Sequence, residues 1–89
     1  MIYAMRIFDG DRIVDVNAAS FTSYSLGASV NSNYCFRGAD PDRKSVEVIR
    51  EGLSWKAVVR SQRGETNIRI EFDKPIIISR IHRQAVLFF

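Results

Sequence analysis

The chain has 89 residues, of which 46% are hydrophobic and 26% charged, and its formal net charge is +3. That length supports one domain, residues 1–89, with a single modest core, and the apolar content is that of a globular chain, not a disordered one. A lone cysteine, Cys35, and a lone histidine, His82, exclude an intrachain disulfide and a zinc tetrad.

The N-terminus, MIYAMRIFDGD, has no basic leader and meets a charge at Arg6, so it does not read as a secretory signal. No apolar run approaches the ~18 residues of a membrane span. These features lead us to expect a cytoplasmic chain with no membrane partner. Period-two hydrophobicity, the mark of half-buried strands, then dominates the sequence.

The first hairpin is the best specified. YAMRIF at 3–8 and RIVDV at 12–16 flank Asp9-Gly10-Asp11. A two-residue turn at Gly10-Asp11 sets Ile7 opposite Val14, Met5 opposite Val16 and Phe8 opposite Ile13. It also sets Arg6 opposite Asp15 and Asp9 opposite Arg12, so like meets like and charges match.

Residues 16–36 then carry no Asp, Glu, Lys or Arg. The segment VNAASFTSYSLGASVNSNYCF mixes Ser, Asn and Thr with Phe21, Tyr24, Tyr34 and Phe36. It is expected to hold one or two strands, near 20–26 and 33–37. Small hydroxyls beside amphipathic aromatics are the chemistry of protein-contact surfaces. Tyr24, Ser25, Asn33 and Tyr34 are therefore the candidate partner-binding residues, with Phe21 and Phe36 turned into the fold. The alternative is a pair of half-buried strands whose outer face is Ser and Thr. Cys35, in this uncharged setting, is expected to be a poorly reactive thiol.

Residues 40–52, DPDRKSVEVIREG, admit two readings. Asp40 as an N-cap, Pro41 at the first helical position and Gly52 as a stop favour a short helix at about 41–51. The alternation of Val46 and Val48 favours a strand turning at Glu51-Gly52.

LSWKAVVR and TNIRIEF form a second hairpin. With Leu53, Trp55, Ala57 and Val59 on one core face and Ile68, Ile70 and Phe72 on the other, the loop must hold an even number of residues. A turn centred on Arg63-Gly64, or equally a four-residue loop over the same centre, pairs Val59 with Ile68, Ala57 with Ile70, Trp55 with Phe72 and Lys56 with Glu71. The C-terminal IIISRIHRQAVLFF is one bent strand or a tight hairpin around His82-Arg83. The fold class expected is mainly β, a small antiparallel barrel or sandwich built from hairpins, or α+β if the short helix forms.

Catalytic chemistry has little to stand on. Nothing in the sequence brings Cys35 and His82 together. The carboxylate pairs Asp9/Asp11, Asp40/Asp42 and Glu71/Asp73 fall in turns or on solvent faces, where they cap and solubilise. No phosphate-cradling glycine loop, metal site or cofactor motif is present. Basic residues are unevenly placed: residues 37–89 carry eleven basic against seven acidic groups, and ten of the thirteen basic residues are Arg. Arg37, Arg63, Arg80 and Arg83 are the candidate anion-binding residues, with Tyr34 and Phe36 near enough in sequence to supply stacking. The RNP, KH and cold-shock signatures are absent.

The sequence thus reads as a non-enzymatic protein-interaction module that self-assembles or binds another macromolecule. It is of the small accessory type that viruses and mobile elements carry. The alternative is an Arg-dependent binder of single-stranded nucleic acid or another polyanion.

Overall fold

Gly10 turns the first hairpin at φ 65°, a conformation that costs a residue with a Cβ and costs glycine nothing. The hairpin is β1 (Ala4–Asp9) and β2 (Arg12–Asn17), in the anticipated register: Met5 opposite Val16, Arg6 opposite Asp15, Ile7 opposite Val14, Phe8 opposite Ile13 and Asp9 opposite Arg12. The computed structural model describes residues 4–27, 29–36, 44–71, 74–79 and 83–88.

After β2 the chain makes one 3₁₀ turn, Ala18–Ser20, capped by the Asn17 side chain, which accepts from the Ala19 N–H at 2.9 Å. The uncharged segment then supplies β3 (Ser23–Gly27) and the two-residue β4 (Tyr34–Cys35). These two run parallel, Leu26 opposite Tyr34, while every other pairing among the described residues is antiparallel.

Residues 45–51 are strand, so the helical reading of 41–51 fails; residues 41–43 and the proposed cap Asp40 lie outside the described residues. β5 (Ser45–Glu51) is paired on both sides, with β3 and with β6 (Ser54–Ser61). Its β-branched Val46, Val48 and Ile49 suit that central place, and Val46 and Val48 are buried. The turn that follows is Gly52-Leu53, with Gly52 at φ 61°.

The second hairpin forms, but two residues out of the expected register. β6 pairs with β7 (Gly64–Arg69) as Ser61 opposite Gly64, Val59 opposite Thr66, Ala57 opposite Ile68 and Lys56 opposite Arg69. The turn is therefore Gln62-Arg63, not Arg63-Gly64. The loop remains even and the faces keep their parity. Trp55 meets Ile70, whose N–H donates to the Trp55 carbonyl at 2.9 Å. Phe72, the partner expected for Trp55, lies outside the described residues. Leu53, placed by its alternation in the core, is fully exposed in the turn.

The C-terminal segment is a hairpin of β8 (Ile76–Ser79) and β9 (Arg83–Phe88), with Ile76 opposite Ala85 and Ser79 opposite Arg83. Arg83, expected in the turn, is instead the first residue of β9, and His82 lies outside the described residues.

Strand order is β2-β1-β9-β8 in one sheet and β4-β3-β5-β6-β7 in the other. Both sheets are open, which rules out the barrel. Met5, Ile7 and Ile76 of the first sheet share one core with Leu26, Val46, Val48, Trp55 and Ala57 of the second. The sheets thus bury one common interior, and β1 and β9 join the two ends of the described chain at its centre.

Candidate functional site

The hydroxyls and amides of the uncharged segment bond mainly to one another. Ser25 N–H and Ser25 Oγ donate to Asn33 Oδ1 at 2.9 and 3.0 Å, and Asn33 N–H donates back to Ser25 Oγ at 3.0 Å. This clamp closes the connection between β3 and β4, and the Phe36 N–H donates to the Gly27 carbonyl at 2.9 Å just beyond it. Gly27 suits the close approach: a Cβ there would lie 3.3 Å from both Ser32 Oγ and Ser45 Cβ, which would have to give by a few tenths of an ångström. Ser23 Oγ donates to Glu47 Oε2 across the sheet at 2.8 Å.

The aromatics form two groups. Tyr34 is 8% exposed, packs edge-on to buried Phe36 at 5.3 Å, and donates its hydroxyl to Asp9 Oδ2 at 3.1 Å. Arg12 stands 5.9 Å over the Tyr34 ring. Tyr34 therefore ties the second sheet to the first hairpin and is not an exposed anchor. Phe21 lies 5.0 Å from Tyr24 and 5.6 Å from Trp55, with Arg50 5.9 Å over the indole. Tyr24 is half-buried, and that burial pushes its hydroxyl above the ordinary tyrosine range. Of the four partner-binding candidates, Ser25 and Asn33 are bonded together, Tyr34 is internal, and Tyr24 keeps part of its surface. Cys35, expected to be a poorly reactive thiol, is exposed.

The outer face of the second sheet carries its charges in pairs. Arg60 donates to Glu65 Oε1 at 3.0 Å and stands 3.4 Å from Glu47, while Lys56 contacts Glu51 at 2.7 Å. Between them Val58 is buried on this same face, flanked across the strands by Glu47 and Asn67. Lys56 does not meet Glu71. That carboxylate instead pairs with Lys74, whose hydrogen bond holds it below the usual carboxylate range.

The anion-binding candidates are divided. Arg63 is exposed in the turn between β6 and β7, while Arg83 opens β9 in the other sheet, in register with Asp9. Arg37 and Arg80 lie outside the described residues, as does His82.

Sequence reasoning missed the edge at β7. All six of its residues are exposed, Ile68 at 43%. The signal was present in composition: Gly64-Glu-Thr-Asn-Ile-Arg69 has one apolar residue in six, which suits a strand with water on two sides. Beyond β7 a cleft of about 370 Å³ opens between Ile68–Glu71 and Lys74–Ile76, bridged by the Glu71–Lys74 pair. Among the described residues no three His, Cys, Asp or Glu side chains cluster as metal ligands, and no helix is long and apolar enough to cross a membrane.

No family model matches the chain, and no curated protein or solved structure is similar to it.

Proposed function

We propose that this chain is a non-enzymatic interaction module that engages another protein chain, by self-assembly or by capping a macromolecular partner, through an open sheet edge. The observation that carries this reading is β7. It ends the larger sheet, runs for six residues, and is exposed at each of them. An edge of that length presents a row of unpaired backbone donors and acceptors. Strand addition to such an edge is a common mode of protein recognition.

The uncharged segment contributes by building the sheet that presents this edge, since its Ser23, Ser25, Asn33 and Tyr34 side chains are engaged within the chain. The polyanion reading has less support: Arg60 and Lys56 are already paired with carboxylates, and of the candidates Arg63 and Arg83 stand in different sheets while Arg37 and Arg80 lie outside the described residues. Size-exclusion chromatography with light scattering, with and without a single-stranded oligonucleotide, tests the two together. A protein-contact module gives a concentration-dependent mass that the oligonucleotide leaves unchanged. A salt-sensitive oligonucleotide complex would favour the polyanion binder instead.

A further inference from the structure

We infer that the partner of β7 is β7 of a second copy, paired antiparallel about a two-fold axis at Asn67; the inference rests on the interaction reading above. Backbone polarity gives the first argument. The Ile70 N–H donates to the Trp55 carbonyl, so Ile70 points its backbone groups at β6. That direction alternates along an antiparallel ladder. Ile68 and Thr66 therefore also face β6, and Arg69, Asn67 and Glu65 aim their N–H and C=O groups outward.

Register gives the second. A two-fold axis normal to the sheet maps each face onto itself, so opposed residues must share parity and the axis must pass midway between one residue and its own copy. Centring on Asn67 opposes Glu65 to Arg69 of the second copy, and Arg69 to its Glu65. It also opposes Thr66 to Ile68 in both directions. The outward-facing groups of 65, 67 and 69 then meet their counterparts as hydrogen-bonded pairs. Centring on Glu65 or Arg69 instead opposes like charges, and centring on Thr66 or Ile68 matches no charges at all.

Charge within the monomer gives the third. Lys56 is directly opposite Arg69 on the outer face, a like-charge cross-strand pair. Arg69 forms no ion pair among the described residues, whereas Lys56 has Glu51. Glu65 gives Oε1 to Arg60, which leaves Oε2 for a cation across the axis. Glu71 attracts Arg69 only from a distance and is bonded to Lys74, so a second copy supplies Arg69 with a directly opposed carboxylate. The β2 edge of the first sheet has no such symmetry: centring on Val14 opposes Ile13 to Asp15, and centring on Asp15 opposes that carboxylate to itself.

The test is light scattering across a concentration series on the full chain and four variants. Wild type should move from monomer toward twice the monomer mass as concentration rises. Asn67→Pro removes an N–H that faces away from β6, a change that edge strands tolerate, and should stay monomeric with an unchanged melting midpoint. Arg69→Glu and Glu65→Arg should each raise the dissociation constant about tenfold or more, by turning two attractions into two repulsions. Glu65→Arg combined with Arg69→Glu should restore association. If Asn67→Pro lowers the melting midpoint, the charge series, which leaves the backbone untouched, decides alone. A dimer indifferent to Asn67→Pro and to the charge changes overturns the β7 pairing but leaves an interaction module. A chain monomeric at every concentration overturns the pairing, and one that is also shifted by oligonucleotide overturns both readings.

Discussion

Ser25 and Asn33 hold each other reciprocally: the Asn33 side chain accepts from the Ser25 N–H and hydroxyl, and the Ser25 hydroxyl accepts from the Asn33 N–H. Eight residues apart, they let the chain leave β3 and return parallel to it as β4, a turnaround that no ladder bond inside the loop would secure. Asn33→Ala removes the acceptor and should lower stability by about 1 kcal/mol, the net worth of such bonds at an exposed site. Asn33→Asp keeps an oxygen at Oδ1 and should lose less. Urea midpoints of the two variants check the order, and an Asp variant as weak as the Ala variant would sink the clamp.

Leu53 and Trp55 share strand parity and nothing else. Leu53 sits fully exposed in the Gly52-Leu53 turn, whereas Trp55 is 7% exposed against Phe21. Leu53→Ser should change unfolding free energy by no more than about 0.5 kcal/mol. Trp55→Ala should cost about 3–5 kcal/mol. Native Trp55 emission should be blue-shifted and should move red on unfolding. Comparable losses for the two variants would mean that Leu53 packs in the core.

The first hairpin was legible because three independent signals agreed: Gly10 in the turn, matched apolar pairs and matched charges. The second was legible only to parity. Registers two residues apart keep the same faces, and only burial on β7 could have chosen between them. An edge strand makes no such demand, so Ile68 sits 43% exposed opposite Ala57, and the turn uses Gln62-Arg63 just before Gly64. Residues 40–52 carried helix start and stop signals and a strand alternation at once. Strand wins where both flanks find partners, since β3 and β6 satisfy the backbone on either side. The Ser25–Asn33 clamp left no trace in composition, because the same residues in water or at an interface would read identically.

Cys35 occupies β4 with its side chain exposed, and its thiol contacts the Phe36 carbonyl at 3.7 Å. It should react with a thiol reagent in the native state, and denaturant should add little to the rate. Marked protection that denaturant abolishes would mean that another surface covers β4. Concentration-dependent protection would locate that surface on a second chain.

Arg6 and Asp15 make the one two-bond ion pair of the first hairpin among the described residues, Nε to Oδ1 at 2.8 Å and Nη2 to Oδ2 at 3.0 Å. The hydrogen bonds from Arg6, aided by its charge, hold the Asp15 carboxyl below its ordinary range. A carboxylate depressed in the folded state contributes stability that is fully present above its unfolded value. That contribution is lost as pH falls through the depressed one. Glu71, held down by Lys74, carries the same sign. Both pairs are exposed, so the contributions are small and weaken with salt. Asp15→Asn has no carboxylate to titrate at this position. The difference in urea midpoint between wild type and Asp15→Asn should therefore be present at neutral pH and low salt. It should shrink as pH drops below the ordinary carboxylate range, and should shrink again when salt is raised at neutral pH. A difference that holds constant from neutral to acid would mean that Asp15 acts through packing or turn geometry, not through its charge.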